Sequence, residues 1–366
     1  MKGGFFIAAA GQHSGKTTVT LSIMAKLKSK FKNVGYMKPI GQHHILVNGT
    51  KIDKDVSVFK KYFNLKNIKY KHMSPLIVDK NYTRRYIENG LLDDQINRIK
   101  HSYGVVNNMN DFTLVEGTGH TAVCSVIGMS NAKVASLLNL NMLLVINGGI
   151  GNTIDHFELN KAMCDKENVK IGGLIINKVI PSKLDEISYY INKYISTYDI
   201  PLIGVVPELN GLDNPTISDI EKLFNRNKTF FNNSNFDFTQ IKLVESTLTF
   251  FLDNLSVNND NMLYVTHSSR DDIILGYCSF SKMYYDKYNK KWNSLLIICD
   301  SDIISSNMKD LIGNCTGNII TVQQSSSDVI YKIMNYTSKL NENNPDRIKK
   351  AITHYSKYID IDLMNY

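Results

Sequence analysis

The stretch "FFIAAAGQHSGKTTVTLSIMAKLK", residues 5–28, constrains the fold of this chain more than any other. A wholly apolar run enters a short loop of small and polar residues, and a Gly-Lys-Thr triplet then opens a segment with Leu21, Met24, Leu27 and Phe31 at helical spacing. A buried strand that turns through a tight loop into a helix converges free backbone N–H groups and the positive end of the helix dipole on one point. That point favours an anion such as phosphate. The usual pattern, G-x-x-x-x-G-K-[ST], would place its first glycine at Ala10, so the strict match fails by one methyl group, and Gly11 is expected to supply the missing flexibility. The other positions fit. Gly11, Gln12, His13, Ser14, Gly15, Lys16, Thr17 and Thr18 are expected to wrap the phosphates of a nucleotide, with Gly15 permitting close backbone approach, Lys16 reaching the β- and γ-phosphates and the Thr17 hydroxyl ligating Mg²⁺.

Up to about residue 210 the chain alternates such apolar runs with helix-length amphipathic segments, the rhythm of an α/β fold with a parallel sheet flanked by helices. The expected strands are "FFIAA", "VGYMK", "FTLVE", "MLLVI", "GGLIIN" and "LIGVV", several of them continuously apolar, as strands buried on both faces must be. Beyond Gly211 the pattern loosens through "GLDNP" and the asparagine-rich "NRNKTFFNNSN". This predicts a P-loop NTPase domain over residues 1–212 and a smaller α/β domain over residues 213–366. The second opens with a short helix in "TISDIEKLF" and has strands "MLYVT", "SLLIICD" and "NIITV". Ser269 with Asp272 three residues on reads as a helix start, and so does Asn344 followed by Pro345.

Ligands of open α/β sheets gather at the carboxyl ends of the strands. There "GYMKPIGQ" puts Lys38, suited to a carboxylate or a transferring phosphoryl group, or else a solvated surface lysine. "KIDKDVSVF" supplies Asp53 and Asp55, and "FTLVEGTGH" ends on Glu116 followed by small residues that would let a ligand approach the backbone. Thr17, Asp55 and Glu116 are the candidate Mg²⁺ ligands, the carboxylates acting directly or through water. Asn177 in "GGLIINKV", and Pro207 and Glu208 after "LIGVV", sit where an adenine could be cradled. GTP-binding proteins often carry N-K-x-D at the first of these places, and the Asn177, Lys178, Val179, Ile180 found here favours ATP. "GNCTG" around Cys315 has the form of a nucleophile elbow with His354 downstream, but Ser356 stands where a supporting acid would be wanted, and Cys315 is expected to be a loop cysteine.

Composition narrows the partners. The net charge of +8 is spread along a Lys/Asn-rich sequence without a basic stripe, which disfavours nucleic acid. No apolar run approaches the roughly 18–20 residues that cross a bilayer, and Gly11 and Gln12 interrupt the N-terminal apolar stretch too early for a secretory signal, so a cytoplasmic protein is expected. Cys124, Cys164, Cys278, Cys299 and Cys315 have no paired spacing, which points to reduced core residues rather than disulfides or structural zinc.

Taken together, "GQHSGKTT", "GYMKPIGQ", "DKDV", "VEGTGH" and "GLIINKV", in this order, resemble the dethiobiotin synthetase and cobyrinic acid diamide synthetase superfamily of P-loop ATPases. Partition-type ATPases, with an early extra lysine in K-G-G-x-x-G-K-T, match less well. The resemblance implies that Lys38 holds a substrate carbamate or carboxylate and that Asp55 and Glu116 serve Mg²⁺. It further implies an ATP-dependent C–N ligase, with Lys16 and Lys38 as catalytic residues, a small carboxylate or amine as acceptor, and a homodimer. "SPLIVDKNYTRRYI", "SVIGMSNAKVASLL", "LYVTHSSRDDIILG" and the segment from "SSSDVIYKIM" onward resemble the dethiobiotin-synthetase-like and DRTGG regions of long phosphotransacetylases. Their acetyltransferase domain has no counterpart, so acetyl transfer is not expected, and a nucleotide-sensing role becomes the alternative to catalysis. Asp300 and Ser301 replace the T-G-G expected after "SLLIIC", and His120 replaces a glycine usual in the synthetases.

Overall fold

The six apolar runs of the first half pair side by side, all parallel, in a computed structural model that describes residues 3–11, 13–90, 94–224, 238–255 and 261–364. They are β1 (Gly3–Ala9), β2 (Val34–Met37), β3 (Phe112–His120), β4 (Asn141–Asn147), β5 (Ile171–Val179) and β6 (Leu202–Pro207). Their order is β6-β5-β4-β1-β3-β2. The chain reverses direction at β1, whose neighbours are β4 and β3, and a crevice at such a switch point is where an open sheet takes its ligand. Phe5, Ile7, Leu114, Leu143 and Ile175 are fully buried, as two-sided coverage by helices requires.

Two compact units emerge, unit 1 comprising Met1–Leu209 with Leu340–Tyr366, and unit 2 comprising Asn210–Lys339. The sequence reading put everything after residue 212 in the second domain; the structure instead returns the final segment to unit 1. The cause is the apolar face of the Pro345–Tyr355 helix, on which Ile348, Ala351 and Tyr355 are buried. Beyond it, Ile359 makes an antiparallel bridge to Gly204 of β6 and accepts a hydrogen bond from Lys26 on α1 (Lys16–Lys30). A methyl on Gly204 would stand 2.4 Å from the Tyr358 carbonyl oxygen, so this glycine is what admits the returning chain.

Unit 2 carries a second parallel sheet, β7 (Gln240–Leu243), β8 (Met262–His267), β9 (Leu295–Cys299) and β10 (Asn318–Thr321), in simple sequential order. Side chains alternate between two apolar layers: Tyr264, Leu296, Ile298 and Ile319 face one, and Leu263, Leu295, Ile297 and Ile320 the other. The helix Ile217–Leu223 is closed by a capping box between Thr216 and Asp219. Asn344 caps the Pro345–Tyr355 helix by accepting from the Arg347 N–H. The expected cap at Ser269 is absent. The helix starts at Asp271 after Arg270, the Ser269 hydroxyl lies 2.8 Å from His267 Nδ1, and Asp272 is occupied by the Arg270 guanidinium. A local ion pair and a hydroxyl–imidazole contact outcompete the capping geometry.

Among the described residues no helix is long and apolar enough to cross a membrane.

Candidate functional site

Ala10 is 7 % exposed and belongs to the apolar cluster beneath β4 and β5, and its N–H donates to the Val145 carbonyl at 2.8 Å. Its methyl group is therefore core packing. Ala10 and Gly11 stay out of the left-handed region; among the described residues of the loop the positive φ angles fall at His13 (58°) and Gly15 (75°). Gly11 is thus not where the loop turns left-handed, and the missing first glycine costs the loop nothing in backbone freedom. Gly15 is indispensable, because an added Cβ would lie 2.2 Å from Asn177 Nδ2 in a conformation that side chains disfavour. Ser14 Oγ donates to the Gly11 carbonyl at 3.2 Å, and Asn177 Nδ2 donates to the Ser14 carbonyl at 2.8 Å. Gln12 lies outside the described residues.

Lys16 and Thr17 open α1, and Thr18 behind them is buried. Thr17 Oγ1 donates to Glu116 Oε1 at 2.8 Å, and the Lys16 ammonium stands 3.8 Å from the same oxygen. Lys38, directly after β2, is 3.8 Å from it as well. Glu116 is fully buried and its second oxygen accepts from the Tyr36 hydroxyl at 3.2 Å. The strand expected to end on Glu116 runs on to His120, so this carboxylate stands in the middle of β3, where it ties the phosphate-loop lysine and threonine to the lysine of the Lys-Pro segment.

Lys38 also pairs with Asp55 and, at 3.2 Å, with Asp53. Asp53 closes a hairpin, His44–Val47 with Thr50–Asp53, whose turn residues Asn48 and Gly49 have φ of 49° and 74°. An Asn-Gly pair with both residues left-handed is a strong hairpin signal that the sequence reading passed over. Asp53 caps the helix α2 (Lys54–Tyr62) by accepting from the Asp55 N–H, which puts Asp55 in the first turn.

Burial is the largest influence on Lys16, Tyr36, Lys38 and Glu116. It lowers Lys16 despite Glu116 beside it, and it raises Tyr36, with Glu116 adding to the effect. Burial also raises the Glu116 carboxyl, partly offset by Lys16 and Lys38. For Lys38, burial pulls downward but Asp55, Glu116 and Asp53 outweigh it and hold the ammonium above the ordinary lysine range. Two lysines thus face three carboxylates in a largely dry site.

Among the described residues no group of three or more His, Cys, Asp or Glu side chains is arranged to hold a metal by itself. Mg²⁺ does not require one, since it is usually held by one or two carboxylates with waters and substrate phosphates. Thr17 Oγ1 and Glu116 Oε1, hard oxygen donors 2.8 Å apart beside the loop, fit that chemistry.

Small residues after Glu116 have a local reason different from ligand approach: a methyl on Gly117 would meet Asn131 Oδ1 at 2.6 Å and Phe6 Cε1 at 2.7 Å. Asn131, missed by sequence reasoning, accepts from the Thr118 N–H and donates to the Thr118 and His120 carbonyls, fixing this strand end. Asn177 is fully buried, and among the described residues its Oδ1 has no hydrogen-bond partner. Pro207 is buried with its carbonyl accepting from His354 Nε2 at 2.9 Å, whereas Glu208 is exposed.

The model of the AAA domain family matches residues 3–216. ATP-dependent dethiobiotin synthetase BioD of Clostridium perfringens is 30% identical over 232 residues, covering 61% of this chain and 94% of that protein. Phosphate acetyltransferase of Nitratidesulfovibrio vulgaris is 23% identical over 374 residues, covering 98% of this chain and 51% of that protein. The phosphate acetyltransferase of Synechocystis is 27% identical over 214 residues, covering 57% of this chain and 29% of its own length. The chain thus spans about half the length, or less, of the acetyltransferases it matches. By its fold, its loop and these matches, the chain belongs to the AAA domain family, as a dethiobiotin-synthetase-like P-loop ATPase.

Proposed function

We propose that unit 1 binds Mg²⁺ and ATP and transfers the γ-phosphoryl group to a carboxylate or carbamate oxygen. ADP leaves, and an amine then attacks the activated carbon, expelling phosphate and forming a C–N bond. The observation that carries this reading is Glu116, which holds Thr17 at 2.8 Å and both Lys16 and Lys38 at 3.8 Å. The lysine that neutralises phosphate and the lysine that would orient an acceptor are therefore bound to one carboxylate. Mg²⁺, when bound through Thr17, Asp55 and Glu116, supplies further neutralisation of the charge that builds on the transferring group. The Asn177 amide oxygen, buried and unpartnered among the described residues beside the loop, is suited to accept from an adenine amino group near Pro207 and Glu208.

A second reading is a nucleotide-sensing module in which unit 2 is DRTGG-like. It is favoured by the pairing of Lys38 with Asp53 and Asp55, which engages the acceptor lysine internally, and by the similarity of nearly the whole chain to a phosphate acetyltransferase. ADP release is the test, measured with and without candidate carboxylates and amines, in the parent protein and in Lys38→Ala whose fold is verified by circular dichroism. Turnover stimulated by an acceptor and lost in the variant supports the synthetase. Saturable ATP binding with negligible turnover under every acceptor overturns it in favour of the sensor.

A further inference from the structure

One stretch near the end of unit 1, Glu342 to Asp362, reaches α2, α1 and β6 in turn. Glu342 accepts from Ser57 Oγ at 3.0 Å and pairs with the Lys61 ammonium at 3.2 Å, both on the helix that carries Asp55. At the far end the Asp360 N–H donates to the Ile203 carbonyl at 2.8 Å, while the Ile359 carbonyl and the Asp362 carboxylate hold Lys26 and Lys30 of α1. Between these anchors, two adjacent residues of the Pro345–Tyr355 helix meet the site. Tyr355 is 2 % exposed, and its hydroxyl lies 3.6 Å from where a Cβ on Gly15 would stand, beside the Asn177 amide that crowds the same point. His354 Nε2 lies 2.9 Å from the Pro207 carbonyl, and since a carbonyl only accepts, that nitrogen carries the proton.

We propose, resting on the reading of unit 1 as a magnesium–ATP site, that this helix is a wall of the nucleotide pocket in which His354 positions the base end and Tyr355 the phosphate end. The peptide unit joining Pro207 to Glu208 is bonded on both sides: its carbonyl accepts from His354, and its N–H donates to the Val179 carbonyl at 2.9 Å. It therefore has a fixed direction at the point where the chain leaves β6, next to the end of the strand that bears Asn177. Proline offers no N–H, so the carbonyl is the one backbone group through which Pro207 itself can be held. At the loop, Gly15 is left-handed and can carry no side chain, and the buried Tyr355 supplies bulk behind it that its own residue cannot. The two contacts act on different parts of one ligand: loss of the first displaces the surface facing the base, and loss of the second loosens the amides facing the phosphates.

Magnesium–ATP and magnesium–tripolyphosphate, each titrated into the full chain in a calorimeter, separate the two roles. His354→Ala should weaken ATP about fivefold and leave tripolyphosphate unchanged, and His354→Gln, whose amide can still donate to the carbonyl, should restore most of the loss. Tyr355→Phe keeps the ring and removes the hydroxyl facing Gly15; it should weaken both ligands by the same factor, about threefold. Circular dichroism verifies the fold of each variant. Equal loss of both ligands in His354→Ala, or undiminished ATP affinity in His354→Ala and Tyr355→Phe alike, would overturn the inference and leave ATP binding by unit 1 standing. A folded parent protein that binds neither ligand would overturn that reading and this inference with it.

Discussion

Lys38→Met keeps the aliphatic stem and removes only the charge. The ammonium it deletes lies 3.2 Å from Asp53 Oδ1 and 3.8 Å from Glu116 Oε1, and is bonded to Asp55. At an effective dielectric of about 20, attractions over the two measured distances are worth about 5 and about 4 kcal/mol before desolvation is counted. Burial of Lys38 and its partners cancels most of that gain. The loss expected is the penalty for stranding buried carboxylates, about 3–5 kcal/mol. The effect must depend on pH in a definite direction. A carboxyl whose folded pKa is raised, as for Glu116, contributes stability at low pH that disappears as pH rises through the folded value. Removing Lys38 deletes one of the two cations that offset this rise, so the variant should be weakest near neutral pH and recover as the carboxylates take up protons. The contribution of Lys38 itself, raised in the folded state, is full below the unfolded lysine value and is constant over the window used. Urea unfolding followed by far-ultraviolet circular dichroism, at about pH 5 and about pH 8, measures both terms. The single tryptophan, Trp292, reports on unit 2 as an internal reference. A destabilisation below about 1 kcal/mol at the higher pH, or one of equal size at both, would refute the reasoning.

Other substitutions probe the loop. Ala10→Gly restores the usual first glycine but deletes a buried methyl; it should lower stability by about 1 kcal/mol and leave ATP affinity unimproved, which denaturation and calorimetry can check together. Gly15→Ala should cost roughly 1–3 kcal/mol for the left-handed backbone alone, with the clash against Asn177 adding to it, and should abolish nucleotide binding. Asn177→Ala, which frees the Ser14 carbonyl, should lose about 1 kcal/mol of stability and weaken ATP binding severalfold, read by thermal unfolding with and without nucleotide.

All strands of the two main sheets except β7 were legible because doubly buried parallel strands must be continuously apolar, as Leu114, Leu143 and Ile297 illustrate. β7 escaped notice for the converse reason: Gln240, Lys242 and Leu243 are exposed on a sheet edge, so "QIKL" shows no apolar run. Lys38 and Glu116 were singled out because each follows a buried apolar run, whereas Tyr36, which donates to Glu116 from inside such a run, was passed over as a core aromatic. What joins them was not legible. Periodicity identifies Ile348, Ala351 and Tyr355 as one buried face but carries no information about which unit that face covers, so the return of the last helix to unit 1 required the structure. Likewise Ala10 looked like a defect in a motif until its neighbours were known to be core residues.

The most direct measurement is titration of the full chain with magnesium–ATP in a calorimeter, beside Lys16→Ala. Saturable one-to-one heat in the parent protein, abolished in the variant while its circular dichroism is unchanged, is the predicted result. Absence of heat from the correctly folded parent protein, or undiminished binding after loss of the Lys16 ammonium, would contradict the account.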